Sequence, residues 1–285
     1  MRVLVAADLH WNHPRSRESA EALIHQINRE RFDVLLVVGD VGVGDGESIE
    51  ECLSHFGFGG PKLFVPGNHE LWSNDPEINL HDQELPERIE SIGWRWLPRE
   101  PFVIGDVGFV GSIGWYDYQF ADVELEIPRL FYERKTSPGA VLSLKEPEDL
   151  LEAAQAAPEK ARELVARWND VKYVRLGMSD EAFVERECDR LNRELESLSD
   201  KRHIIAAIHT LPFEELLPPM KGGQFNFAKA FLGTPRIGEV LKRFDNVSHV
   251  VCGHSHFPIE AQVGLMRAIN IGAGYRSKRF VVIEV

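Results

Sequence analysis

The chain has 285 residues, 44% of them hydrophobic and 27% charged, a balance that excludes collagen-like, low-complexity and disordered classes. A formal net charge of −13 disfavours long nucleic acid as partner, because nucleic-acid binders carry a basic face. Cys52, Cys188 and Cys252 are odd in number and lack metal-like spacing, which argues against a disulfide framework and for small buried hydrophobes in a reducing compartment.

The opening residues Met1 to Asp8 form too short an apolar run, too quickly acidic, for a signal peptide. No stretch approaches the ~20 apolar residues of a membrane span, so a cytoplasmic protein without membrane contact is expected. Residues 2–7 read as a first strand ending in Asp8-Leu9-His10. In extended chain residues i and i+2 face the same side, so Asp8 and His10 can grip one ion. Ala20, Leu23, Ile24 and Ile27 recur at helical spacing and predict a covering helix over 16–31. Residues 33–38 are a continuous apolar run, the mark of a strand buried on both faces, and they deliver Gly39-Asp40.

A helix is predicted over 47–56, and then Lys62 to Val65 stop abruptly at Pro66-Gly67-Asn68-His69-Glu70. Proline and glycine end a strand and present the next side chains on a loop. Alternating strands and helices predict a parallel α/β sheet with functional groups at the carboxyl ends of its strands. Beyond Glu70 a helix is expected over 84–92 and short strands near 94–97, 102–104 and 107–111. The aromatic, glycine-broken run Ser112 to Tyr118 reads equally as a pocket wall and as a packed loop. Charge- and alanine-rich sequence from 122 to 200 predicts a helical insertion, a solvated helical pair over 148–168 and 180–198. Ser179 is the N-cap of the second helix, ahead of Asp180 and Glu181. Its functional reading is a substrate-selecting cap or a dimer contact.

The α/β pattern resumes at residues 203–208, which deliver His209. A helix over 235–244 leads to residues 247–252, which deliver Gly253-His254-Ser255-His256. The tail, 259–263, 265–270 and 279–285, reads as antiparallel strands closing a second sheet.

Five strands therefore end in Asp8 and His10, Asp40, Asn68 and His69, His209, and His254 and His256. Carboxylate, imidazole and amide donors without thiolate suit Mn²⁺, Fe, Zn²⁺, Ni²⁺ or Co²⁺. A two-ion site needs one bridging ligand, and a carboxylate, Asp40, is the choice. Taken singly, Asp8 and Asp40 read as helix caps. In this order and spacing the motifs resemble the calcineurin-like metallophosphoesterase superfamily over nearly the whole chain. The resemblance implies one domain spanning 1–285, a four-layer α/β/β/α sandwich with two central mixed sheets and a helical insertion at about 122–200. It also implies two divalent transition-metal ions, Mn foremost. Asp8, His10 and His256 would hold the first, Asn68, His209 and His254 the second, with Asp40 shared. His69 would face the phosphoryl group, binding an oxygen or protonating the leaving alkoxide, in hydrolysis by a metal-bridging hydroxide.

The implied activity is hydrolysis of a small phosphodiester or phosphomonoester such as a nucleotide. The alternatives are a nuclease, or a protein-binding scaffold on the same fold. Many members carry a second aspartate three residues after the bridging one, where it orients the phosphoryl-facing histidine. Here that position is Val43, leaving Asp45, Glu70 or a backbone carbonyl to orient His69. His13, His25, His55, His81, His203 and His249 fit no motif and read as surface or core residues. Trp11, Asn12, Trp72, Trp115, Tyr116, Tyr118, Phe257 and Tyr275 read as a substrate wall or as packing.

Overall fold

A computed structural model describes all residues except 45, 76–79, 81–83 and 221. Eleven strands are formed among the described residues: β1 (Arg2–Ala6), β2 (Val34–Val38), β3 (Lys62–Val65), β4 (Arg95–Trp96), β5 (Phe102–Ile104), β6 (Val107–Ser112), β7 (His203–Ile208), β8 (Val247–Cys252), β9 (Ile259–Val263), β10 (Met266–Asn270) and β11 (Phe280–Glu284). They make two mixed sheets, ordered β11-β1-β2-β3-β4 and β5-β6-β7-β8-β10-β9. Pairing is parallel from β1 to β4 and from β6 through β7 and β8 to β10. Strands β11, β5 and β9 join antiparallel at edges.

The period of two along each strand sorts its side chains between two cores. Val3, Val5, Val34, Leu36, Val38, Leu63 and Val65 meet Phe109, Ile205, Ala207 and Val251 between the sheets. Their neighbours Leu4, Ala6, Leu35, Val37 and Phe64 pack on the other face, in the cluster that contains the helix residues Leu23, Ile24, Ile27, Leu53 and Ile89. All five residues of β2 are buried, as the continuous apolar run requires. The covering helices are Arg17–Ile27, Ser48–Ser54 and Leu85–Ser91 on the first sheet, and Asp180–Ser197 with Pro235–Leu241 on the second. The result is the expected α/β/β/α sandwich.

Three expectations about local structure are corrected. The last strand does not close the second sheet: β11 pairs with β1, where Val3 faces Ile283 and Val5 faces Val281. Nor is the tail wholly antiparallel, since β10 lies parallel to β8. The 122–200 segment is more than a helical pair. It contains six α-helices, among them Glu148–Ala156, Glu159–Arg162 and the single turn Asp170–Tyr173, and one 3-10 turn, Val123–Leu125. Pro158 interrupts the helical pattern predicted over 148–168, because proline cannot continue the ladder of amide donors. Beyond Arg162 the chain extends and bridges Arg167 to Thr136. Ser179 does cap its helix, accepting from the Ala182 amide at 3.2 Å.

Candidate metal centre

The carboxyl ends of β1, β2, β3, β7 and β8 converge on one edge of the sandwich, where backbone pairing continues past the strands. The Asp8 amide donates to Gly39 at 2.9 Å, His10 to Asp40 at 2.8 Å, His209 to Ser112 at 3.0 Å and Gly253 to His209 at 3.0 Å. Two groups of side chains result. Asp8, His10, Asp40 and His256 offer ligand atoms within 4.8 Å of one another, and so do Asp40, His209 and His254. Asp40 is common to both. His209 Nε2 lies 3.3 Å from Asp40 Oδ1, and His10 Nε2 3.8 Å from Asp40 Oδ2. Asn68 is buried beside them. His69 stands at the rim, its side chain 17% exposed and its Nε2 3.9 Å from Asp40 Oδ2, while its amide donates to Asp40 Oδ1 at 3.0 Å. The structure thus brings together Asp8, His10, Asp40, Asn68, His69, His209, His254 and His256.

It does so with a backbone that extended-strand reasoning missed. Asp8 (φ 54°), His10 (φ 46°), Asp40 (φ 53°), His254 (φ 67°) and His256 (φ 56°) all occupy the left-handed region. Asp8 and His10 share a side because two left-handed turns aim them there, not because the chain runs extended. Such conformations cost about 1–3 kcal/mol each and persist where the surroundings enforce them. Glycines make room for the convergence: a Cβ on Gly67 would lie 2.2 Å from Asp40 Oδ1, and one on Gly39 2.2 Å from His209 Nδ1.

The donor set fits divalent cations on its hydrogen bonding. Among the described residues, Asp8 Oδ2, Asn68 Oδ1 and His10 Nδ1 are buried polar atoms without a hydrogen-bond partner. Orphans of that kind are rare in folded proteins and call for an ion or water. His209 Nδ1 is satisfied by the Val38 carbonyl at 3.1 Å and His254 Nε2 by the Phe231 carbonyl at 3.1 Å. Each ring so anchored turns its other nitrogen inward, the arrangement by which outer-shell carbonyls fix ligating histidines. Burial dominates the electrostatics. It lifts the Asp8 carboxyl to about 7 against the opposing pull of His209, and it lowers His254 and His256 to about 4, keeping both imidazoles neutral. Burial would lower His209 too, but the Asp40 carboxylate overrides it and raises that imidazole to about 9. Asp40 itself is held well below the carboxylate range: burial opposes this, and His69 and His209 outweigh it.

Three further residues build the centre and were not singled out as such from sequence. Glu70, fully buried, does not orient the His69 ring. Its Oε2 accepts from the amides of Asp40 (2.7 Å) and Gly67 (2.6 Å), and its Oε1 from those of Val41 (2.7 Å) and Gly42 (2.9 Å), so it clamps the two loops that carry Asp40 and Asn68. Lys278 donates to the Asp8 carbonyl. Asp170, from the 122–200 segment, accepts from Asn68 Nδ2 at 2.9 Å. Asp45 and His81 lie outside the described residues.

A cavity of about 410 Å³ opens over the centre, lined by His69, Trp72, Trp168, Phe225, His256 and Tyr275 among others. Of the aromatic residues proposed as a wall, Trp72 and Tyr275 line it. Trp11, Trp115, Tyr116 and Tyr118 are instead buried in the core, and Asn12 is exposed. Ser112 to Tyr118 is thus a packed loop that stays out of this cavity, while Trp115 and Tyr118 line a separate one of about 520 Å³. His13 packs beside Tyr275, ring centroids 4.5 Å apart. The three cysteines are free and buried, and among the described residues no helix is long and apolar enough to cross a membrane.

Comparison with known proteins agrees with this geometry. No curated protein matches the chain. Among solved structures, the phosphopantetheinyl hydrolase of Mycobacterium tuberculosis is similar with a TM-score of 0.69 at 20% identity, over 96% of this chain and 89% of that one. A dimetal phosphatase from Danio rerio is similar with a TM-score of 0.50 at 12% identity, over 95% of this chain and 86% of that one. Identities this low speak to the fold alone. The sequence profile of the calcineurin-like phosphoesterases matches residues 1–258. On that match, over a fold and a cluster of Asp and His side chains able to bind metal, the chain belongs to the calcineurin-like phosphoesterase family.

Proposed function

We propose that the protein hydrolyses a small phosphomonoester or phosphodiester, a nucleotide being one candidate, with two divalent transition-metal ions, Mn²⁺ foremost. The observation that carries this reading is the position of Asp40, whose carboxylate belongs to both ligand groups. Asp8, His10 and His256 would hold one ion, and Asn68, His209 and His254 the other, with Asp40 shared. When bound, the ions supply an acidified water and neutralise charge on the phosphoryl oxygens.

The chain's own residues do the rest. Asp40, buried and anionic, balances the cations. The neutral ring of His254, its Nε2 bonded to the Phe231 carbonyl, keeps a lone pair on Nδ1 for coordination, and neutral His256 meets His10 Nε2 to Nε2 at 2.9 Å, a contact an ion would replace. His69, at the rim between the centre and the cavity, is placed to bind a phosphoryl oxygen or to give a proton to the leaving oxygen, an acid role worth roughly 10²–10⁴-fold. The cavity volume of about 410 Å³ matches a small-molecule ligand, and the −13 charge opposes a long polyanion such as a nuclease substrate.

The test is hydrolysis of p-nitrophenyl phosphate, bis-p-nitrophenyl phosphate and an alkyl phosphate with Mn²⁺, with EDTA as control. Wild type should turn over at least one ester and lose activity to EDTA. Asp40→Ala should lose bound metal, whereas His69→Ala should keep it and fail mainly on the alkyl ester, whose leaving group needs a proton. Absence of turnover by metal-loaded wild type would favour the scaffold reading, and equal metal loss in both variants would refute the assigned roles.

A further inference from the structure

Val43 occupies the position from which an aspartate would orient His69, and among the described residues nothing hydrogen-bonds to the His69 ring. The ring is held by packing instead. It stacks on the Trp72 indole with centroids 3.9 Å apart and planes 20° from parallel, and His10 meets it edge-on at 4.7 Å. Trp72 is in turn stacked on Tyr173 at 5.0 Å, and the Ser73 amide donates to the Tyr173 carbonyl at 3.0 Å. A plate of this kind restrains the tilt of an imidazole only if the plate is itself fixed.

What fixes it is Asp170. Its Oδ1 accepts from Trp72 Nε1 at 2.6 Å and from Asn68 Nδ2 at 2.9 Å. Its Oδ2 accepts from Trp168 Nε1 at 2.7 Å and from the Tyr116 hydroxyl at 3.0 Å. The carboxylate is 1% exposed, a costly burial that four donors offset. The bond to Asn68 has a directional consequence. An amide whose nitrogen is committed to Asp170 must turn its oxygen the other way, and Asn68 Oδ1 is the buried atom left without a partner.

We infer that Asp170 is a positioning residue of the centre. It aims the Asn68 carbonyl oxygen at the second ion and pins Trp72 as the backing plate of His69, so one carboxylate from the 122–200 segment orders a metal ligand and the proton donor together. This rests on the roles given to Asn68 and His69 under the proposed function. It also gives that segment a structural task at the centre itself.

The experiment pairs metal titration with a leaving-group comparison. Mn²⁺ is titrated against a chromophoric chelator at fixed pH. Asp170→Ala should weaken one of the two Mn²⁺ ions by about 10–100-fold, the usual cost of losing an outer-shell partner, and leave the other within about threefold. Asp170→Asn, which keeps the volume and one acceptor oxygen, should show a smaller loss and serves if Asp170→Ala does not fold. Trp72→Leu should bind both ions as wild type does. Its kcat should fall about tenfold on an alkyl phosphate but little on the p-nitrophenyl ester, with KM nearly unchanged. In a His69→Ala background Trp72→Leu should cost nothing further, because the two act as a unit. Wild-type Mn²⁺ affinity in both folded Asp170 variants overturns the inference for Asn68. Equal loss on both esters, or additivity with His69→Ala, overturns it for Trp72. If His69→Ala alone does not distinguish the two leaving groups, the acid role of His69 falls, and the titration still decides Asp170.

Discussion

Glu70 Oε2 accepts the Asp40 amide at 2.7 Å, and the same oxygen accepts Gly67 at 2.6 Å. A single buried carboxylate thus ties the turn after β2 to the turn after β3. Among the described residues, four backbone amides donate to it.

Removing that clamp should cost stability before it costs chemistry. Glu70→Gln keeps one acceptor oxygen and points an amide group at two of the four buried N–H donors. Unpaired buried donors cost about 1–3 kcal/mol each, so a loss of about 2–6 kcal/mol is expected in urea denaturation of the metal-free protein, and more for Glu70→Ala. Mn²⁺ should recover part of it by binding only the folded state. A Glu70→Gln midpoint equal to wild type would show that the turns hold without the clamp.

Gly67→Ala tests the close approach. The added methyl would sit 2.2 Å from Asp40 Oδ1 and 2.6 Å from the Asp40 amide, a distance no real contact tolerates, so Asp40 must move. Overpacking of this kind costs about 1–3 kcal/mol. Bound Mn²⁺ should fall with it, because the displaced group is the one shared by both ligand sets. Metal content by atomic emission and a thermal melt read the two effects separately; full metal occupancy would show that the loop relaxes without disturbing Asp40.

Metal binding should strengthen as pH rises. Burial lifts Asp8 from its ordinary 3.8 to about 7, and Asp40, against burial, lifts His209 from 6.5 to about 9. Both folded-state values exceed the unfolded ones. In the metal-free protein each group therefore contributes stability below its ordinary value and loses it as pH climbs, Asp8 through about 7 and His209 through about 9. Cations require both groups deprotonated, so loading releases protons. Mn²⁺ affinity should rise up to about 10-fold per pH unit for each proton released, steeper below about pH 7 than between 7 and 9. The melting increment given by Mn²⁺ should widen over the same range. Calorimetry in buffers of different ionisation enthalpy counts the protons, and a pH-independent affinity would contradict the assignment.

Much of the centre was legible in the sequence because each part announces itself locally. Apolar runs that stop at Gly39-Asp40, Gly67-Asn68-His69 or Gly253-His254 signal a strand ending in a loop, and parallel α/β sheets gather such ends at one edge. What stayed hidden depends on distance along the chain. Asp170 lies 102 residues from Asn68, in a charged stretch where one more aspartate carries no signal. The pairing of β11 with β1 joins residues 280–284 to residues 2–6, and hydrophobic alternation gives a strand its faces without naming its neighbour. The aromatic loop was ambiguous because ring side chains serve pockets and cores alike, and only burial separates Tyr275 from Trp115. Glu70 was legible as a residue to examine, yet its bonds are to backbone amides, which sequence does not display.

The left-handed turns at Asp8, His10, Asp40, His254 and His256 have an evolutionary consequence. Outside glycine, that backbone region favours Asp, Asn and His, and these five positions carry Asp and His. Drift at these sites is therefore filtered twice, first by torsion and only then by affinity. The region is disfavoured rather than closed to other side chains, since Trp115, Tyr118, Glu126 and Lys135 also occupy it in this chain, at a cost the surrounding packing must offset. The backbone thus narrows which side chains can be exchanged at these five positions before metal affinity is considered, with Asp, Asn and His the least strained choices.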